Sequence, residues 1–100
     1  MVKHIVLWKL KETAGGRTRT ENAAFIKREL EALRGVVSGL IRIEVGFDFS
    51  ASESSSDLAL YSEFESRAAL DAYQSHPAHQ DIVAFLKTVR TERRVVDYEV

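Results

Sequence analysis

The sequence predicts an α+β fold in which one four-stranded antiparallel sheet carries helices on a single face. Three observations predict it. Four stretches alternate apolar and polar residues with period two. Two longer regions repeat apolar residues at helical spacing. These stretches follow one another in the order β-α-β-β-α-β.

Residues 2–11 place Val2, His4, Val6, Trp8 and Leu10 on one side of a strand. Lys3, Ile5, Leu7, Lys9 and Lys11 fall on the other. Both sides hold apolar groups, so both faces of the sheet are expected to be covered. Gly15-Gly16 ends the pattern. Thr18-Arg19-Thr20-Glu21 then fits a capping box, in which hydroxyl and carboxylate satisfy free backbone N–H groups reciprocally. Ala23, Ile26, Leu30, Leu33 and Val37 continue at helical spacing, and Gly35 is a stop, which predicts a helix over about residues 19–34.

Leu40 to Asp48 alternates again, with Ile41, Ile43, Val45 and Phe47 against Arg42, Glu44 and Gly46. Ser50 to Ser56 is polar and short, as a hairpin loop requires. Asp57 to Phe64 is the third strand. Ser66 caps a helix bearing Ala69, Leu70 and Tyr73, and His76-Pro77 interrupts it. Proline restrains the residue before it but suits the first turn of a new helix, so a second segment starts at Pro77 and carries Ile82, Phe85, Leu86 and Val89. Arg94 to Val100 closes as the last strand. The order is that of the ferredoxin-like split βαβ unit.

The length of 100 residues fits one domain over residues 1–100. Fifteen acidic and fourteen basic side chains give a net charge of −1, which supplies no excess of cations for nucleic-acid binding. Cysteine is absent, which excludes disulfides, thiolate catalysis and cysteine-held metals. No apolar run is long enough for a membrane span, and the first residues enter a strand without the pattern of a signal peptide. A cytoplasmic protein is expected. The sheet face without helices is partly apolar, so a homodimer through that open face is expected too.

Three side chains could carry chemistry. With His4, Val6 and Trp8 turned toward the helices, His4, Tyr73 and His79 can converge at one end of the core. His79 falls in the first turn of the helix that begins at Pro77, where the helix dipole disfavours imidazolium. A neutral imidazole can act as a general base. The Tyr73 hydroxyl can donate to a carbonyl or a developing enolate. Such a pair in an apolar chamber suits proton abstraction beside a carbonyl with no cofactor. The plainer alternative is that Tyr73 and His79 bond each other or nearby backbone and only fix the joint.

His4 on an apolar face reads first as a satisfied core histidine, and His76 before proline as a cap. His76 and His79, three apart with Asp81 near, make a poor metal set, because a proline intervenes and cysteine is absent. Arg90, Arg93 and Arg94 with Glu92 read as a solvated helix end. No phosphate loop and no nucleophile elbow are present. Trp8 and Phe25 read as core rather than as platforms for bases. With Val6 and His76, they are the candidates to touch a small apolar or aromatic ligand.

The opening Val2-Lys3-His4-Ile5-Val6-Leu7, Gly46 near the end of the second strand, the segment Tyr73-Gln74-Ser75-His76-Pro77-Ala78-His79 and the closing Asp97-Tyr98 carry a resemblance. Over essentially its whole length the chain resembles the stress-responsive dimeric α/β-barrel (Dabb) family. The resemblance implies a ferredoxin-like monomer that pairs through its open sheet face into a closed barrel. It also implies a cavity between sheet and helices.

Within that family the chain is distantly similar to olivetolic acid cyclase, which closes a linear polyketide by aldol condensation without a cofactor. On that similarity His4, Tyr73 and His79 match a cavity histidine, a tyrosine and a base histidine. Phe25 is followed by Ile26 where the cyclase has two aromatics in tandem. Gln80-Asp81-Ile82-Val83 replaces a glycine-containing stretch. The polyketide substrate is therefore not implied. Three functions stay open: a binder of a small apolar molecule, a cofactor-free cyclase, lyase or monooxygenase, and a protein without a ligand.

Overall fold

The computed structural model describes all residues, Met1–Val100. The elements are β1 (Val2–Leu10), β2 (Thr13–Ala14), β3 (Arg17–Thr18), α1 (Arg19–Glu31), β4 (Leu40–Phe47), β5 (Leu58–Phe64), α2 (Arg67–Ser75), α3 (Pro77–Val89) and β6 (Arg90–Glu99). The main sheet has the order β4-β5-β1-β6, with every neighbouring pair antiparallel. This is the ferredoxin-like α+β fold.

Four local features differ from the expectations. The register of β4 shifts between Leu40 and Arg42, so the strand buries Leu40, Ile43 and Val45 and leaves Ile41 and Phe47 exposed. Thr13–Ala14 and Arg17–Thr18 pair as a small hairpin across Gly15-Gly16. Both glycines have positive φ, +61° and +77°, the backbone that a tight primed turn demands. Two-residue strands are too short to show periodicity. The first helix ends at Glu31 rather than near residue 34, and the chain turns through residues 32–39. Gly39, at φ +83°, lets this turn press on α2: a Cβ there would lie 2.6 Å from that of Ala69. The last strand starts at Arg90, directly from α3, four residues earlier than the alternation suggests.

Alternation sets the core. Val2, His4, Val6, Trp8 and Leu10 of β1 are buried beneath the helices, together with Leu58, Leu60, Ser62 and Phe64 of β5. Ile26 and Leu30 of α1, Leu70 and Tyr73 of α2, and Ile82 and Leu86 of α3 close over them in one cluster. Truncating a side chain as buried as Ile26 to alanine typically costs about 2–5 kcal/mol. The other sheet face carries Ile5, Leu7, Tyr61, Val96 and Tyr98 with no helix on it.

Two caps and a clamp hold the helices in place. The Thr18 hydroxyl accepts from the Glu21 N–H at 3.2 Å, and the Thr18 N–H donates to the Glu21 carboxylate at 3.0 Å. Nδ1 of His76 accepts from the Ala78 N–H at 3.1 Å, starting α3 at Pro77. At the edge strand, Val45 donates its N–H to Glu31 at 2.9 Å, and its carbonyl accepts from Lys27 at 2.6 Å. Burial alone would raise the Glu31 carboxyl, but the Lys27 and Val45 hydrogen bonds hold it below the usual value. No helix is long and apolar enough to cross a membrane.

Candidate functional site

The helix-facing row of β1 forms the floor of a cavity of about 220 Å³. Val6, Trp8, Leu30, Leu60, Val83 and Leu86 make its apolar wall. His4, His79, Lys87, Arg90 and Arg93 complete the lining. The cavity lies between sheet and helices, and the exposed Lys87 and Arg93 mark its open side. An engineered apolar cavity of ~150 Å³ is known to take benzene, so this volume suits a single ring with substituents.

His4 is 2 % exposed and sits mid-strand on β1. The β1–β6 register sets it directly opposite Asp97, and its Nδ1 pairs with the Asp97 carboxylate. An ionised carboxylate only accepts, so Nδ1 carries the hydrogen in that pair and Nε2 remains for another partner. The imidazole packs in T-shaped fashion with Phe64 and Tyr73, with centroids 6.4 and 6.2 Å away.

Tyr73 lies on the buried face of α2 and is fully enclosed. Its ring centroid is 4.1 Å from that of His79. Its hydroxyl has no hydrogen-bond partner. Burial pushes the phenol well above its ordinary value, so it is a hydroxyl and not a phenolate near neutrality. Tyr73 does not itself line the cavity; it packs on the ring of His79, which does.

His79 is half-buried in the first turn of α3. Burial lowers its pKa below the ordinary histidine value. The Gln74 carbonyl, 3.4 Å from Nδ1, opposes that shift, while the charges of His4, Arg93 and His76 reinforce it. The resting group is a neutral imidazole on the cavity wall. Tyr73 and His79 therefore do not bond each other: the hydroxyl is unpaired, and the imidazole leans on backbone.

The structure brings His4, Val6, Trp8 and His79 to one cavity, with Tyr73 behind His79. It does not bring Phe25 or His76 there. Phe25 lies off the stripe of Asn22, Ala23, Ile26 and Leu30 that α1 buries. It packs on Phe85 at 4.7 Å, with the Arg17 and Arg28 guanidinium groups over its ring. His76 is consumed by capping α3.

Asp97, Arg90 and Arg93 were not singled out by the sequence for this site. The arginines are not a solvated helix end: they belong to β6, and both line the cavity. Their shared parity with Trp8 and His4 appears only once the β1–β6 register is known. No group of three or more His, Cys, Asp or Glu side chains is placed to hold a metal.

The model of the stress responsive A/B barrel domain, Dabb, matches residues 2–100. The chain belongs to the Dabb family. A dimeric protein of unknown function and ferredoxin-like fold from Bacteroides fragilis is 34 % identical to this Dabb chain, covering 99 % of it and 95 % of the relative, with a TM-score of 0.81. A dimeric ferredoxin-like protein of unknown function from Jannaschia sp. CCS1 is 26 % identical over 99 % and 98 %, with a TM-score of 0.79. The hydroxynitrile lyase of Passiflora edulis is 16 % identical over 99 % and 92 %, with a TM-score of 0.81; that likeness is one of fold alone. No curated protein sequence matches the chain. The fold alone does not choose an activity, so the functional reading rests on the cavity.

Proposed function

We propose that this Dabb domain, a single unit over residues 1–100, binds a small apolar or aromatic molecule in the cavity between sheet and helices. The observation that carries the reading is the cavity of about 220 Å³ walled by Val6, Trp8, Leu30, Leu60, Val83 and Leu86. Most of its wall is hydrocarbon and indole, with a few polar groups that could orient a ligand, which is the usual make-up of a small-molecule site. The test is thermal unfolding across a panel of substituted single-ring molecules. Binding to the native state raises stability by mass action, so a ligand of this class raises the Tm. A panel that leaves the Tm unmoved overturns the reading.

A cofactor-free enzyme is the second reading, favoured by one geometry. A neutral imidazole on the cavity wall, His79, has the unpaired Tyr73 hydroxyl behind it and the Asp97-held His4 beside it. His79 would take a proton from a carbon next to a carbonyl, and the Tyr73 hydroxyl would have to enter the cavity to donate to the resulting oxyanion. Under this reading His79→Ala loses turnover and keeps its fold.

The same proposal has the domain act as a homodimer through its open sheet face. Leu7, Val96 and Tyr98 are 39 %, 52 % and 43 % exposed there, a larger apolar display than a sheet face in water favours. The relatives from Bacteroides fragilis and Jannaschia are described as dimeric.

A further inference from the structure

The cavity is charged on one side only. Lys87, Arg90 and Arg93 line it, and no carboxylate does. None of the three makes an ion pair or a side-chain hydrogen bond within the chain, although Lys9, Arg19, Lys27, Arg42, Arg67 and Arg94 all do. Three cations held together without a counter-charge repel one another, and an anion between them removes that repulsion.

The backbone is shaped to produce this cluster. Arg90 and Arg93 are three residues apart, a spacing that points to opposite faces of a regular strand. The register shifts between Lys9 and Leu10, so that Arg90 stands opposite Leu10 and Arg93 opposite Trp8. Trp8 and Leu10 both face the helices. The bulge therefore turns both arginines to the cavity side, which is how bulges re-aim side chains at sites. Lys87 reaches the same mouth from the last turn of α3.

We propose that the ligand is an amphipathic carboxylate: a ring or branched hydrocarbon body against Trp8, Leu60 and Val83, with its carboxylate at the mouth between Arg90, Arg93 and Lys87. The inference rests on the ligand-binding reading above and adds the charge of the ligand to it. The planar guanidinium groups match a carboxylate by paired N–H donors. A guanidinium fork takes phosphate as well as carboxylate, so the proposal commits to the carboxylate and the phosphate arm of the test decides between the two.

The probes are cyclohexanecarboxylate, its neutral amide and cyclohexyl phosphate, titrated into the full chain. Calorimetry and the emission of Trp8, the sole tryptophan, report binding. The acid is expected to bind about tenfold more tightly than the amide at low salt, and tighter than the phosphate. Raising the salt to about 0.5 M should narrow the gap, because exposed charges are screened. Arg93→Gln and Arg90→Gln, both on the surface side of the site, should weaken the acid and leave the amide unchanged. Equal binding of acid and amide overturns the inference while the apolar cavity stands. Preference for the phosphate overturns it in favour of another anion. Binding of none of the three probes where other ring compounds raise the Tm also overturns it, and a panel without any binder removes both readings.

Discussion

His4 on β1 and Asp97 on β6 are opposed across the sheet, and the His4 Nδ1 pairs with the Asp97 carboxylate. The histidine is buried, while the aspartate is 40 % exposed by side chain. The pair ties the last strand to the floor of the cavity and sets which ring nitrogen of His4 is left over. Asp97→Ala strips a buried donor of its acceptor, a loss of about 1–3 kcal/mol. Urea unfolding measures it. A variant as stable as the parent would mean that water serves His4 equally well.

Tyr73 behaves in the opposite sense. Its hydroxyl is enclosed with no partner. Removing an unpaired buried hydroxyl while keeping the ring relieves a desolvation cost, so Tyr73→Phe should be neutral or more stable by about 1 kcal/mol. The same variant should lose any turnover that depends on the hydroxyl. A stability loss above about 1 kcal/mol would show that the hydroxyl has a partner in the folded protein.

The pH dependence follows from His79. Burial holds its folded pKa below 6.5, so on acidification the unfolded chain takes up this proton first. The stability tied to neutral His79 is complete above about pH 6.5 and is lost as the pH falls through the folded value. The urea midpoint should drop between pH 7 and pH 5 in the parent and drop less in His79→Gln. Equal slopes in the two proteins would contradict the burial of the ring.

Association should go through the bare face. Light scattering is expected to give twice the chain mass of 11.3 kDa. Val96→Asp puts a charge at a half-exposed position on that face, where it costs the monomer little. It should halve the measured mass. A parent monomer, or a dimer indifferent to Val96→Asp and Leu7→Lys, would place the interface elsewhere.

Strands β1 and β5 were legible because one buried face imposes strict alternation on them; β4 alternates only from Ile43 on, because its register shifts after Leu40 and leaves Ile41 exposed. The joint at Pro77 was legible because proline leaves few options. Cap and helix start were likewise written in Thr18 and Glu21. The missing pieces have physical causes. Arg90-Thr91-Glu92-Arg93 is polar on both sides and bulged, so no period marks the start of β6. The His4–Asp97 pair spans 93 residues and depends on register, which only tertiary packing settles. Phe25 has the composition of a cavity residue, but it sits off the buried stripe of α1 and packs on Phe85.

The most direct test compares the parent with Val83→Trp by calorimetry. Val83 is half-buried and lines the cavity from α3, so an indole there fills the space a ligand needs while the fold can keep its cooperative melt. A substituted ring compound should give saturable heat with the parent and none with the variant. No saturable heat with the parent, or equal affinity in both proteins, would contradict a ligand between the sheet and the helices.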